Sequence, residues 1–323
     1  MKKSPIHLSN SILNSWQRCK RLYYYREILN LEPKKKSSKL VRGTIIHKMK
    51  EDEFSNRDPW DIFKDTRVNF DWKSLEVEDL EKFKKMFLSI EYIMKDYFNT
   101  PKYFYAKKVE FPVEMKLSDN IIYKGQVDAF GSITGHPGTN AVYELKTKAK
   151  PKDTIDITER FRPQAILYAE ALKREGEKIT HVFREFIYCP TLSIPEVNKN
   201  GSMSKKNITC TWNLYRDTLR KNNLTEANYQ DMKEKLTIKV KDKLSTRIND
   251  DITGHFIEMA IYEGTQISKN KEFPRSWSYM CMSCPFKEPC YLGLTGGDEK
   301  NYLLKNYKNR EQYYAEVYEA EEE

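Results

Sequence analysis

The sequence predicts an α/β protein built around a central sheet. Three observations lead to this prediction. The first hundred residues carry helical periodicity, residues 102–148 carry the alternation of strands, and a helical stretch followed by one apolar strand comes next. This order of helices, three strands, a helix and a strand is typical of an α/β core sheet.

Three helices are predicted before the sheet. Ser9 and Ser11 are candidate N-caps for the first, and an apolar stripe runs along it beside Cys19. Pro101 then marks the change from helical to strand-like periodicity. The predicted helices cover about residues 10–27, 40–54 and 77–98.

The sheet is predicted from four segments. The first three are YFYAKKVEFPVEMKL, NIIYKGQVDAF and AVYELKTK, and turn-rich sequences separate them. The helix ITERFRPQAILYAEALKREG and the apolar strand THVFREFIYC follow. The lysine-rich residues 191–272 are expected to add one or two helices.

The charge of the chain favours a polyanionic partner only weakly. Lysine and arginine outnumber aspartate and glutamate by 56 to 47, which gives the 323 residues a net charge of +9 at pH 7. The excess is spread along the chain, so an ordinary lysine-rich surface explains it equally well.

The sequence shows no membrane or targeting signal. It lacks a run of about 18 apolar residues, and the N-terminal MKKSPIHLSNS has no apolar segment behind its lysines. We therefore expect a cytoplasmic protein without a membrane partner. In a reducing compartment the six cysteines are not expected to form disulfides, so a metal-ligand cluster is the leading interpretation.

An acid-x-lysine pair lies in the third predicted strand. Glu144 and Lys146 point to one face of that strand, and Asp128 ends the strand before it. Two carboxylates a few ångströms apart repel unless a cation or a proton lies between them, and oxygen ligands suit Mg²⁺ or Mn²⁺. We therefore expect a metal site here, and a Glu144→Ala protein that is at least as stable as the wild type without metal.

That spacing alone is weak evidence, because acid-x-lysine pairs recur elsewhere in the chain as ordinary solvated pairs. His47 lies on the second predicted helix, and Gln164 and Tyr168 share one face of the later helix. A lone histidine is more often structural, and a Gln/Tyr pair is usually helix surface. The order of these residues along the chain makes them informative.

This order resembles the PD-(D/E)xK nuclease superfamily in its RecB-type branch. The motifs are Gly43-x-x-x-His47, Gly125-x-x-Asp128, Glu144-x-Lys146 and Gln164-x-x-x-Tyr168. One cysteine before them and three after them resemble the iron–sulfur subgroup, which includes the AddB nuclease domain and small CRISPR-adaptation exonucleases. These cysteines are Cys19, Cys281, Cys284 and Cys290.

The resemblance implies a restriction-endonuclease-like core, in which helices flank a mixed central sheet, and a role for each motif. The divalent metal, Mg²⁺ or Mn²⁺, would be bound by His47, Asp128, Glu144 and the carbonyl of Leu145. Lys146 would orient the attacking water and stabilise charge on the phosphate. Gln164 and Tyr168 would contact the nucleic-acid strand or hold Lys146 in place. Help from the neighbouring strand is expected of Glu110.

The cysteine spacing fits two cofactors. A C-x₂-C-x₅-C group with one remote ligand suits either a 4Fe–4S cluster or a structural zinc. The resemblance implies the 4Fe–4S cluster, which would join the N-terminal helix to the C-terminal segment. Cys189 and Cys210 fall outside the pattern and are expected to be structural.

The implied organisation is a single nuclease domain over residues 1–323. Its expected parts are an N-terminal helical part (9–100) with the first cluster cysteine, a catalytic core (101–190), a helical insertion (191–272) and a C-terminal iron–sulfur segment (273–295). This insertion departs from the small family members, in which the last cysteines follow the core strand more closely.

The implied function is a metal-dependent DNA exonuclease that acts on single-stranded ends. Three lysines past the acid-x-lysine strand are placed to meet phosphates: Lys148, Lys150 and Lys152. Two alternatives remain, a restriction-like or flap endonuclease and a non-catalytic DNA-binding subunit of a recombination or repair complex. No G-x-x-x-x-G-K-[ST] motif is present, so a helicase would be a separate partner.

Overall fold

The computed structural model describes residues 5–35, 37–151, 157–206, 208–236 and 238–310. These residues form two compact units. The terminal unit comprises the described residues up to 35, residues 114–125, and the described residues from 254 onward. The central unit comprises residues 37–113 and the described residues from 126 to 253. The single domain over residues 1–323 stays a prediction.

The described chain contains eight β-strands and twelve α-helices. The strands are β1 (Ile6–Leu8), β2 (Leu31–Pro33), β3 (Phe104–Ser118), β4 (Ile121–Ile133), β5 (Asn140–Lys148), β6 (His181–Tyr188), β7 (Lys241–Arg247) and β8 (Tyr307–Asn309). The α-helices are α1 (Asn10–Arg18), α2 (Lys20–Tyr23), α3 (Ser38–Phe54), α4 (Pro59–Val68), α5 (Val77–Phe98), α6 (Ile157–Arg160), α7 (Pro163–Arg174), α8 (Trp212–Lys221), α9 (Asp231–Lys235), α10 (Asp250–Lys269), α11 (Lys287–Leu294) and α12 (Glu299–Asn306).

The central unit contains a mixed sheet. The end of β4 pairs antiparallel with β5, β5 pairs parallel with β6, and β6 pairs antiparallel with β7. The parallel step needs a crossover, which α7 provides, and β6 is buried along almost its whole length because structure covers both of its faces. The predicted α/β architecture, with a mixed central sheet flanked by helices, is confirmed.

Helices cover this sheet through an apolar core. α7 packs on β5 and β6, α3 packs on β5, and α5 packs on α3. Local sequence explains where two of them begin: the Ser37 hydroxyl accepts from the Leu40 N–H at the start of α3, and Pro163 opens α7 with a preset backbone angle. Core side chains from these elements include Ile46, Ile90, Ile93, Phe183 and Ile187.

The insertion predicted to be helical also contributes a strand. Residues 191–272 contain three α-helices, α8, α9 and α10, where one or two were expected, and β7 also lies among them and pairs with β6. The sequence of β7, KDKLSTR, is mostly polar because it borders the sheet on one side only. A polar edge strand of this kind gives no apolar alternation for a prediction to find.

In the terminal unit β1 pairs in parallel with the first residues of β4, and β2 pairs with β8. α10 approaches this pairing at Gly264, where an added Cβ would lie 2.8 Å from Leu8 Cδ1. A separate apolar cluster joins Leu22, Tyr25, Phe286 and Tyr307. In the described part of the chain, no helix has the length and apolar character needed to cross a membrane.

The first predicted helix is interrupted. α1 ends before Cys19, whose backbone is extended (φ −170°, ψ 128°), and α2 starts directly after it. The Cys19 N–H still donates to the Ser15 carbonyl, and its carbonyl accepts from the Tyr23 N–H. A π-helical turn, Tyr24–Ile28, completes the stretch. The continuous helix over residues 10–27 is therefore corrected to three shorter pieces.

Candidate functional site

His47 and Asp128 meet in the central unit. His47 Nδ1, on α3, lies 3.9 Å from Asp128 Oδ2, on β4. The backbone N–H of Leu145 donates to the same oxygen at 2.8 Å. β4 and β5 are paired up to Ala129 and Tyr143, so the next residues along the ladder are Asp128 and Glu144. The sequence placed Asp128 and Glu144 on neighbouring strands, and the structure brings these two residues together at the end of the paired region.

Glu144 lies between two cations. Its side chain is 5% exposed, and Lys146 Nζ lies 2.6 Å from Oε1. The guanidinium of Arg184, in β6, donates from Nε to Oε2. Burial alone would raise the pKa of Glu144, but the charges of Lys146 and Arg184 outweigh burial and hold that pKa below its ordinary value. Glu144 is therefore an anion in the folded protein.

The pKa values of Asp128 and Glu110 are raised, in contrast to the lowered pKa of Glu144. Burial raises the pKa of Asp128, against the opposing effects of His47, the Leu145 N–H and Lys146. Burial, followed by the charges of Asp128 and Glu51, raises the pKa of Glu110 to about 8. Two carboxyl groups that resist ionisation side by side indicate a shortage of positive charge at this point.

Glu110 also has an unusual backbone. Its φ is 44°, in the left-handed region that few non-glycine residues adopt, and it lies inside β3. Gln126 Nε2 donates to Glu110 Oε2 at 3.1 Å. Such strain persists only where the surroundings impose it, and it often accompanies a functional site.

We expect the Glu110 carboxyl to make stability depend on pH in metal-free protein. The unfolded chain releases this proton near pH 4.5, whereas the folded protein keeps it to about pH 8. Stability should therefore fall as the pH rises from about 5 to about 8. Glu110→Gln should remove much of this fall in thermal melts with EDTA, and Glu175→Gln, at an exposed position, should retain it. Parallel curves for wild type and Glu110→Gln would contradict the assignment.

The side chains at this site fit a hard divalent cation. An imidazole, two carboxylates and the Leu145 carbonyl are ligands that Mg²⁺ or Mn²⁺ accepts. In the ranges described, no group of three or more His, Cys, Asp or Glu residues is placed to hold a metal ion. Lys146 and Arg184 engage the two oxygens of Glu144. The charge deficit at Asp128 and Glu110 is what a divalent cation would relieve.

Gln164 and Tyr168 share one face of α7, as the sequence predicted. Gln164 Nε2 lies 3.3 Å from Tyr168 Oη, and the tyrosine is buried. The helix packs on β5, the strand that carries Glu144. Their roles toward a nucleic-acid strand stay predictions.

The lysines past β5 differ from one another. Lys148 Nζ lies 2.9 Å from Glu159 Oε1, and Arg162 Nε lies 2.7 Å from the other oxygen of this buried carboxylate. Burial opposes ionisation, but these cations lower the pKa of Glu159. Lys150 is exposed, and Lys152 lies outside the described residues. Of the two described lysines, Lys150 is the one placed on the surface.

The four predicted cluster cysteines line one pocket in the terminal unit. They are Cys19, Cys281, Cys284 and Cys290. Burial raises the pKa of Cys284 and of Cys290, and Cys19 adds to both shifts. The charge of Arg275, and then a hydrogen bond from its side chain, oppose this rise at Cys290. Residues far apart in sequence thus lie together around Cys19, between α1 and α2.

Cys189 and Cys210 lie elsewhere, in the central unit. Both are buried, and burial raises the pKa of each to about 12. The Cys189 carbonyl accepts from Arg42 Nη1 at 2.7 Å. They take no part in the cysteine pocket.

A family model matches this chain from residue 7 to residue 291: the PD-(D/E)XK nuclease superfamily. The chain belongs to this superfamily. The match spans most of the sequence and includes every residue discussed at the site. Nucleases of this superfamily use divalent metals such as Mg²⁺, and DNA is the substrate that the family implies.

Two solved structures are also similar. One is a protein assigned as an exonuclease in Eubacterium rectale, at 16% identity, over 86% of this chain and 92% of that one, with a TM-score of 0.37. The other is SSO0001, at 12% identity, over 89% and 87% of the two chains, with a TM-score of 0.32. A search of curated proteins finds no match.

Sequence reasoning missed several residues around this nuclease site. Arg184 and Glu185 are buried charges inside the apolar strand β6. Glu185 accepts from the hydroxyl groups of Tyr97 (2.9 Å) and Tyr143 (2.6 Å), and Lys50 Nζ lies 3.6 Å away. The available signal was the pair of adjacent charges in an otherwise apolar strand, which is rare unless the charges are paired.

Proposed function

We propose that this nuclease is a divalent-metal-dependent DNA exonuclease that hydrolyses phosphodiester bonds from single-stranded ends. The observation that supports it most is the arrangement of Glu144 between Lys146 and Arg184, next to Asp128 and His47. These are the residue types that phosphodiester hydrolysis needs: anions to hold a metal and a cation to hold water and phosphate.

Each residue has a role that follows from its position. Asp128, Glu144, His47 and the Leu145 carbonyl would hold the metal. When bound, the metal lowers the pKa of its water and neutralises charge on the phosphate. The ammonium of Lys146, 2.6 Å from Glu144 Oε1, would orient the attacking water and stabilise the charge that develops on the phosphate oxygens.

The deciding experiment uses DNA that is labelled at one end when linear and internally when circular. Single- and double-stranded substrates, linear and covalently circular, are incubated with Mg²⁺ or Mn²⁺. We expect label to be released from linear single strands while circular single strands stay intact. Cutting of the circles would indicate an endonuclease, and binding without cleavage would indicate a DNA-binding subunit. Separation of duplex strands would fall to a partner helicase or recombination enzyme.

Binding is proposed to be largely electrostatic, with Lys150 as one phosphate contact. The logarithm of the association constant should fall with the logarithm of salt concentration by roughly 0.7 per phosphate neutralised on a single strand. Lys150→Ala should reduce this slope by about that amount. Lys221→Ala, at an exposed position on α8, should leave it unchanged. An equal slope in wild type and Lys150→Ala would place the strand elsewhere.

We also propose that Cys19, Cys281, Cys284 and Cys290 hold a structural 4Fe–4S cluster. The support is their convergence on one pocket and the C-x₂-C-x₅-C spacing of three of them. The cluster would join α1 to the segment around α11. The nuclease assignment does not depend on this cluster.

A further inference from the structure

Arg184 is the largest fully buried side chain of the described residues, with an exposure of 0%. A guanidinium stays protonated at any pH a protein tolerates and carries five donors. Without partners, such a buried charge would strongly destabilise the fold. The identity of its partners therefore shows what this arginine is for.

Its partners come from two places. Nε donates to Glu144 Oε2, and the two residues are direct cross-strand neighbours on β6 and β5. Nη1 donates to the carbonyl of Glu159 and, at 3.4 Å, to that of Arg160. Nη2 donates to the carbonyl of Arg162 at 3.0 Å. The guanidinium thus binds one carboxylate and three backbone carbonyls.

These carbonyls belong to the segment directly before α7. Pro163 is the first residue of α7, and Gln164 lies in its first turn. Arg184 therefore links the carboxylate of Glu144 to the start of the helix that carries Gln164 and Tyr168.

The same bonds fix the orientation of Glu144. Its Oε2 is engaged by Arg184, so the carboxylate cannot rotate freely, and Oε1 is the oxygen next to Lys146. We propose that Arg184 is a positioning residue, which locks Glu144 and the start of α7 together and so holds the Glu144 carboxylate in the orientation in which it would bind the metal. This inference rests on the proposed metal-dependent function.

Arg184→Lys tests geometry at constant charge. A lysine keeps the positive charge but cannot reach one carboxylate and three carbonyls with a planar fork. We expect Mn²⁺ binding, followed by electron paramagnetic resonance, to weaken about 10- to 100-fold, which is typical when the partner of a metal ligand is lost. The metal concentration for half-maximal cleavage should rise in parallel. Arg216→Lys, at a half-buried arginine that donates to Asn213 Oδ1, is the matched control and should bind Mn²⁺ as the wild type does.

Thermal melting separates positioning from a purely structural role. The rise in melting temperature on adding Mn²⁺ reports metal affinity, whatever the starting stability. Without metal, Arg184→Lys should melt at a lower temperature than the wild type. Its melting temperature should also rise less when Mn²⁺ is added. If Mn²⁺ raised the melting temperature of both proteins equally, or bound both with equal affinity, the positioning role would be overturned. Wild-type protein that binds no Mn²⁺ would instead overturn the proposed metal site, and this inference with it.

A second measurement uses the wild-type chain, in case Arg184→Lys does not fold. The Arg184 Nε–H should exchange slowly with water and give its own ¹⁵N resonance, because it is buried and bonded to Glu144. Titration with diamagnetic Mg²⁺ should shift this resonance, since the acceptor carboxylate also binds the metal. Glu144→Gln should abolish the shift. If the resonance did not shift at Mg²⁺ concentrations at which the wild-type protein binds the ion, the proposed link between Arg184 and the metal site would be contradicted.

Discussion

Glu144→Ala is expected to abolish DNA cleavage and to lower the free energy of unfolding by about 3–5 kcal/mol. Cleavage is lost because Glu144 is both a proposed metal ligand and the partner of Lys146. Stability is lost because the buried guanidinium of Arg184 would keep its charge and lose its only carboxylate within hydrogen-bonding distance among the described residues. Nuclease assays and urea denaturation measure the two effects.

The sequence had led us to expect the opposite change in stability. That expectation treated Asp128 and Glu144 as two carboxylates that repel each other. The charge of Glu144 does raise the pKa of Asp128, but Lys146 and Arg184 contact the Glu144 carboxylate and hold the pKa of Glu144 down. Attraction to two cations therefore decides the sign.

Lys146→Ala is the matched control, because it leaves the buried pair of Glu144 and Arg184 in place. Its side chain is 26% exposed, so its ion pair should contribute no more than about 1 kcal/mol to stability. Cleavage should fall by about 10²- to 10³-fold, as when one charge-stabilising donor is removed. A Glu144→Ala protein that cleaves DNA at a near wild-type rate would refute the catalytic assignment. One with unchanged stability would refute the buried pair.

The part of the site that sequence could predict is local. Glu144 and Lys146 are two residues apart in a strand, so alternation alone places them on one face. Gln164 and Tyr168 are four apart in a helix, which also fixes their common face. The order of the motifs along the chain then predicted that His47 and Asp128 belong to the same site. Each of these relations depends on short spacing or on resemblance.

The part that sequence could not predict depends on contacts distant in the chain. Arg184 meets Glu144 only because β6 returns parallel to β5, and its other acceptors are carbonyls, which every residue has. Glu51 follows His47 by one helical turn, and its effect on Glu110 requires β3 to lie close to α3. Side-chain periodicity carries no information about these encounters.

The break at Cys19 shows the same limit at one residue. The apolar stripe continues from α1 into α2, so the periodicity predicts one helix. The structure interrupts this helix at Cys19, the residue that lines one pocket with three C-terminal cysteines. A helical cysteine would have satisfied the pattern, whereas a ligand of the proposed cluster would have to meet partners distant in the sequence.

Loss of the proposed 4Fe–4S cluster is expected to have the largest effect on the terminal unit. Freshly purified protein should be brown and contain about four irons and four sulfides per chain. Cys19→Ser and Cys284→Ser should each remove the colour. They should also lower stability by roughly 5 kcal/mol, by analogy with a cross-link that closes a long loop. Cys189→Ser and Cys210→Ser should keep the iron, because both side chains are buried in the central unit.

Elemental analysis of anaerobically prepared protein distinguishes the cluster from zinc. Both cofactors take cysteine thiolates at this spacing, and the four cysteines line one pocket, so the metal content decides between them. One zinc per chain without iron would contradict the cluster and leave the nuclease site, which lies in the central unit, unaffected.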